Sequence, residues 1–142
     1  MKKDCVNFIA RWEGFSANVY KCPAGIETFG YGLLRKNYPK EPMPITKERA
    51  LELLEINVIA YQKRMLRLVR VELTDTQIIA LTSFCYNLGL SAFQRSSLRR
   101  KLNRGDYEGS SNEFPKWVWA GGRKWNGLMK RRLAEKELFL NQ

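Results

Sequence analysis

The stretch from Glu13 to Gly32, EGFSANVYKCPAGIETFGYG, decides how this chain is read. Ahead of it, Cys5, Phe8, Ile9 and Trp12 recur at helical spacing, which predicts an amphipathic helix ending near Gly14. Glu13 then stands at the helix C-terminus, where a carboxylate opposes the helix dipole, so stability alone does not select it. Through the stretch and on to Pro44, Pro23, Gly25, Gly30, Gly32, Pro39 and Pro42 punctuate short apolar pieces. That pattern predicts a small hairpin-rich segment.

Reading outward, Thr46 can cap a long helix, running to about Val69, whose stripe is Leu51, Leu54, Val58, Tyr61, Met65 and Leu68. Thr74 with Gln77 forms a capping-box pattern before Ile78, Ile79, Leu81, Phe84 and Cys85. This predicts a buried central helix that stops at Asn87 to Gly89. Shorter helices are expected over Ser97 to Asn103, about Asp106 to Val118, and Leu128 to Leu140, separated by Gly105 and by Gly121-Gly122. The fold class expected is α+β in a single domain spanning 1–142. A small N-terminal β-hairpin lobe, about 15–45, would be joined by the long helix to a larger helical lobe, about 70–142, packed with the N-terminal helix.

With 142 residues, 44% hydrophobic, the chain can bury one substantial core. Lys and Arg number 25 against 14 acidic residues, and the formal charge of +11 favours polyanionic partners, nucleic acid and cell-envelope polymers among them. The chain has no His, which excludes Ser-His and Cys-His pairs and His-ligated metal. Cys5, Cys22 and Cys85 are odd in number and widely spaced, matching neither a disulfide framework nor a zinc pattern, so folding in a reducing cytosol is expected. No apolar run approaches the roughly 18 residues of a membrane span, and no signal peptide or membrane anchor is expected. Internal repeats are absent.

Acid/base chemistry therefore falls to carboxylates, thiols, Lys or Tyr. Glu13 is followed after eight residues by Cys22, and after five more by Thr28, which leads directly into Phe29-Gly30-Tyr31-Gly32. This pattern resembles the phage-type lysozymes, glycoside hydrolase family 24, whose mark is a Glu, then an Asp or Cys, then a Thr inside a Thr-x-Gly-x-Gly stretch. The likeness extends over nearly the whole chain. Ser83-Phe84-Cys85-Tyr86-Asn87-Leu88-Gly89 resembles the family's central helix, and Arg100 to Tyr107 its next helix and boundary. Phe114-Pro115-Lys116-Trp117, Ala120-Gly121-Gly122 and Gly127-Leu128 with Arg131-Arg132 and Glu135 resemble the C-terminal signature of its temperate-phage branch.

The resemblance implies a muramidase, or endolysin, that hydrolyses the β-1,4 bond between N-acetylmuramic acid and N-acetylglucosamine in peptidoglycan. Glu13, Cys22 and Thr28 would be the catalytic residues, with no cofactor and no metal. Glycoside hydrolysis needs one protonated acid for the leaving oxygen and a second group for water or for the oxocarbenium-like transition state. Apolar neighbours favour a neutral acid, and Trp12 and Phe15 flank Glu13. A thiol is mostly neutral unless a cation or dipole intervenes, so Cys22 is read as nucleophile, water-positioning group or simple packing residue. Thr28 offers a hydroxyl to the attacking water, or serves only as a β-branched strand residue. Matching positions imply saccharide contacts at Leu34, Tyr86 and Ser96, with Ser111 a further candidate; packing and capping are their plainer readings.

Two departures stand out. Leu33 occupies the place directly after Gly-Tyr-Gly where relatives carry His, and Glu27 stands at a position often aromatic. Glu27 is either a surrogate base or a solvent-facing strand residue. The expected partners are peptidoglycan and the anionic bacterial envelope surface, which Arg95, Arg99, Arg100, Lys101, Arg104, Arg123, Lys124, Lys130, Arg131 and Arg132 would attract. A monomer without a transmembrane segment and without nucleic acid is expected, residing in the host cytoplasm until lysis. The alternatives are a lytic transglycosylase on the same glycan and a basic helical protein that binds nucleic acid.

Overall fold

The computed structural model describes residues 1–141. The chain forms two compact units, one of Lys2–Ile59 and one from Ala60 onward. The first opens with α1 (Lys2–Glu13), which buries Cys5, Val6 and Ile9 and stops at Gly14, whose φ of 71° suits a helix C-terminus. A three-stranded antiparallel sheet follows, in the order β1 (Ser16–Lys21), β2 (Glu27–Gly30), β3 (Leu33–Leu34). Its register sets Tyr20 opposite Thr28 and Lys21 opposite Glu27, and on the other side Thr28 opposite Leu34. The β1–β2 register shifts between Ser16 and Tyr20.

Phe29, Leu33, Ile45, Ala50 and Leu53 form the core of this unit, with Phe15, Val19, Tyr31, Tyr38 and Met43 packed against it. The Ile45 amide donates to the Ala17 carbonyl at 2.9 Å, tying the loop back to the sheet. Thr46 caps α2 (Lys47–Arg67) as the sequence predicts, accepting from the Arg49 amide at 3.1 Å. α2 carries the chain from the first unit into the second.

In the second unit α3 (Asp75–Leu88) begins with the expected capping box: Thr74 Oγ1 accepts from the Gln77 amide, and Gln77 Oε1 accepts from the Thr74 amide. Gly89, at φ 96°, ends it. Gln77 and the run from Ile79 to Cys85 are buried, so α3 is the centre of this unit. Around it stand α4 (Leu90–Arg95), α5 (Ser97–Asn103), α6 (Tyr107–Ser111) and α7 (Asn126–Leu140). Phe84 is the hub of the core, with its ring edge-on to those of Phe93, Phe114 and Trp117 at 6.3, 5.6 and 5.5 Å.

The architecture is α+β, with a small antiparallel sheet followed by a helical segment. Two local expectations change. The helix predicted over about Asp106 to Val118 breaks after Ser111 and resumes only as a 3-10 turn at Phe114–Lys116. Pro115 accounts for the interruption, since it lacks an amide hydrogen and biases the residue before it away from a regular helix. Gly121 and Gly122 do more than separate helices. With φ of 59° and 75° they form the two-residue turn of a hairpin pairing β4 (Trp119–Ala120) with β5 (Arg123–Lys124).

Candidate active site

Glu13 is the last residue of α1 and is half-buried. Its carboxylate lies directly over the backbone of Gly32: a Cβ built there would stand 2.8 Å from Glu13 Oε1. Gly32 also holds φ at 77°, a conformation that other residues adopt at a cost. The glycine at the end of the Thr-x-Gly-x-Gly stretch therefore serves both the reversal between β2 and β3 and the seat of the acid.

Cys22 sits just past β1, at the head of a tight turn. The Gly25 amide donates to the Cys22 carbonyl at 2.7 Å, and the Cys22 amide donates to the Ile26 carbonyl at 3.0 Å. This folding turns donors toward the sulfur. The backbone amides of Ile26 and Ala24, with help from the Thr28 hydroxyl, hold the thiol below its ordinary range against the opposing effect of burial. The adjacent Lys21 is exposed and is not the cause.

Thr28 is 5% exposed in the middle of the sheet. Its hydroxyl donates to the Ile26 carbonyl at 3.0 Å, and rotation about the C–O bond turns the same hydrogen toward Cys22. Cys22 and Thr28 thus form one polar group at the β1–β2 turn, and Glu13 rests on the β2–β3 turn of the same sheet.

Leu34 is the cross-strand neighbour of Thr28 and is half-buried. Tyr86, in the second unit, is half-buried with its ring edge-on to that of Tyr61 at 5.2 Å. Ser96 is 3% exposed and caps α5, accepting from the Arg99 amide and donating to the Phe93 carbonyl at 2.7 Å. Ser111 is likewise buried and donates to the Glu108 carbonyl at 2.6 Å. Ser96 takes the capping role given above as a plainer reading, and the Ser111 hydroxyl is engaged within its own helix. Glu27 is exposed beside Lys21, and Leu33 is fully buried in the sheet core, a site suited to a hydrocarbon side chain.

One buried polar cluster carries no role in the sequence reading beyond its resemblance. On α7, Glu135 is fully buried and ion-paired to Arg132 at 2.7 Å and to Arg131 at 3.4 Å. Ser83 of α3 donates to Glu135 Oε2 at 2.5 Å, and Arg132 reaches Asn87 Oδ1 at 2.9 Å. Arg131 and Arg132 are therefore internal cations, not part of a solvated basic face. The spacing of Arg131, Arg132 and Glu135 on one helix face was the available signal.

The Glu13 carboxyl seated on Gly32, a thiol held below its ordinary range and the Thr28 hydroxyl thus lie on or against one small sheet. The chain belongs to the phage lysozyme family, whose model matches residues 10–135. It is 39% identical over 135 residues to the endolysin of Acyrthosiphon pisum secondary endosymbiont phage 1, covering 92% of this chain and 91% of that protein. It is 38% identical over 140 residues to the endolysin of Bacillus phage B103, where it covers 95% of this chain but spans only 52% of the relative. Among solved structures, the muramidase domain of SpmX from Asticaccaulis excentricus superposes with a TM-score of 0.87 at 30% identity, covering 99% of this chain and 97% of that one. A P22 lysozyme variant gives 0.84 at 33% identity, covering 97% and 96%. Among the described residues, no helix is long and apolar enough to cross a membrane.

Proposed function

We propose that this protein is a muramidase that cleaves the β-1,4 bond between N-acetylmuramic acid and N-acetylglucosamine in peptidoglycan and so lyses the bacterial cell. The observation that carries this reading is the seating of the Glu13 carboxylate on Gly32, in the sheet whose other turn bears Cys22 and Thr28. Glu13 donates its proton to the leaving glycosidic oxygen as the bond breaks. Cys22, as thiolate, supplies negative charge near the cationic sugar carbon or accepts a proton from water, and Thr28 orients that water. Leu34 and Tyr86 offer apolar and aromatic surface to sugar faces. The enzyme acts as a monomer without metal or cofactor, and it reaches the wall from the host cytoplasm.

Glu13→Gln tests the assignment of the acid. The amide fills the same space but cannot donate the proton, so lysis of a wall suspension should fall by about 10²–10⁴-fold. Circular dichroism and melting should match the parent. Retention of more than a tenth of the parent rate by the folded variant removes Glu13 from the role.

A further inference from the structure

We infer that the second unit carries a separate anion site that binds a phosphate group, as presented by the headgroup of an anionic phospholipid. A surface pocket of about 450 Å³ is lined by Arg70, Arg99, Arg100, Asn103 and Arg104. Four of its five lining residues are guanidinium-bearing and none is acidic. Between Ser91 and Gly105 the sequence has five basic residues, at Arg95, Arg99, Arg100, Lys101 and Arg104, and no Asp or Glu. Gathering like charges around one cavity is unfavourable unless an anion visits it.

The pocket is also built, not a chance crowding of mobile side chains. Asn103 clamps the turn after α2 to α5: its Oδ1 accepts from the Arg70 amide at 2.8 Å and its Nδ2 donates to the Leu68 carbonyl at 3.0 Å. Arg99 is held by the Leu68 carbonyl at 2.8 Å through Nε and by the Gln94 carbonyl at 3.2 Å through Nη1. Arg100 is held by the Arg95 carbonyl at 2.9 Å and by Ser97 Oγ at 2.7 Å. These bonds engage one side of each guanidinium and leave Nη2 of Arg99 and Nε of Arg100 for a ligand. The side chains of Arg70 and Arg104 make no hydrogen bond or ion pair with the described residues. Two fixed forks flanked by two adaptable ones suit a tetrahedral oxyanion, which takes bidentate bonds from Arg.

None of these residues belongs to the proposed catalytic group, and the site is tested by binding. The probes are inorganic phosphate, followed by NMR of the arginine side chains, and vesicles of phosphatidylglycerol against vesicles of phosphatidylcholine, followed by co-sedimentation. Phosphate should shift the Nε signals of Arg99 and Arg100, and phosphatidylglycerol vesicles alone should sediment the protein. The Arg70→Gln/Arg104→Gln variant should bind both probes about tenfold more weakly, whereas Lys63→Gln/Lys130→Gln, with the same loss of charge outside the pocket, should stay near the parent. Equal weakening by both pairs means a diffuse charge effect and overturns the site. Binding of inorganic phosphate without vesicle capture overturns the headgroup assignment, as does tighter capture of single-stranded DNA by the same arginines at physiological salt. Glu13→Gln should bind both probes normally, so failure of the muramidase reading would leave this result intact.

Discussion

Gly32→Ala separates the two functions of one glycine. The added methyl meets two obstacles: a backbone φ of 77°, and Glu13 Oε1 at 2.8 Å from the new Cβ. Holding a non-glycine residue in the left-handed region costs about 1–2 kcal/mol. The contact with Oε1 involves the far end of a rotatable side chain, so Glu13 moves aside instead of the fold breaking. The melting temperature should therefore fall by only about 2–8 °C. Activity should suffer far more, because a displacement near 1 Å at a reacting group costs about 10²-fold. The assay is the turbidity loss of a wall suspension at a temperature well below the melt of both proteins. Gly105→Ala is the control: it carries the same kind of strain, at φ 82°, with nothing within 4 Å of the new Cβ. It should lose comparable stability and keep its activity. A Gly32→Ala enzyme that retains more than a third of the parent rate would refute the claim that this glycine seats the acid.

Cys22 separates from Cys5 and Cys85 by exposure, and from Cys85 by acidity as well. Iodoacetamide at pH 7–8 should modify Cys22 in the native protein while sparing Cys5 and Cys85, which are buried; burial and the charge of Glu135 push the Cys85 thiol up. If the thiolate acts in the reaction, lysis falls in step with that modification, Cys22→Ala loses most activity and Cys22→Asp stays active; a fully active Cys22→Ala would leave the thiol a packing role. In the second unit, Glu135→Ala strips two buried guanidinium groups of their carboxylate and should cost about 3–5 kcal/mol, read by urea denaturation; a loss under 1 kcal/mol would contradict the importance of that cluster. Burial alone would push the Glu113 carboxyl up, but Lys116 at 2.6 Å and Lys101 at 2.9 Å outweigh it and hold the carboxyl below its ordinary range. Its contribution to stability is therefore present above the ordinary value near 4.5 and disappears as pH falls through the lowered one, so Glu113→Gln should flatten the acid limb of a melting-temperature profile.

The elements legible in the sequence are those whose signals are local. The Thr74–Gln77 capping box, the Thr46 cap and the glycine stops at Gly14 and Gly89 each concern groups a few residues apart, and each stands where the spacing put it. The helix expected from the Gly105 and Gly121-Gly122 boundaries ends early, at Ser111, because Pro115 inside those bounds interrupts it. The hairpin of Trp119 to Lys124 has only two residues per strand and no alternating pattern, so its one sequence signal is Gly121-Gly122 between short flanks.

The candidate site was legible as a motif and opaque as a mechanism. Glu13, Cys22 and Thr28 are picked out by their resemblance to the family's motif, yet the sequence leaves open what sets the chemistry of Cys22. The answer at Cys22 lies in the backbone: a turn closed by the Cys22 carbonyl and amide aims the amides of Ala24 and Ile26 at the sulfur, so the polarising groups are invisible to any reading of side chains. The neighbouring Lys21, the cation a sequence reading would credit, faces solvent beside Glu27. Leu33 shows the same limit from the other side. In sequence it is only a departure from the family's His, but in the sheet core beside Phe29, Ile45, Ala50 and Leu53 it makes contacts that an imidazole could match only by burying a polar ring. Restoring the family's residue with Leu33→His should therefore destabilise this protein, because the rest of its core is built around a hydrocarbon at that position.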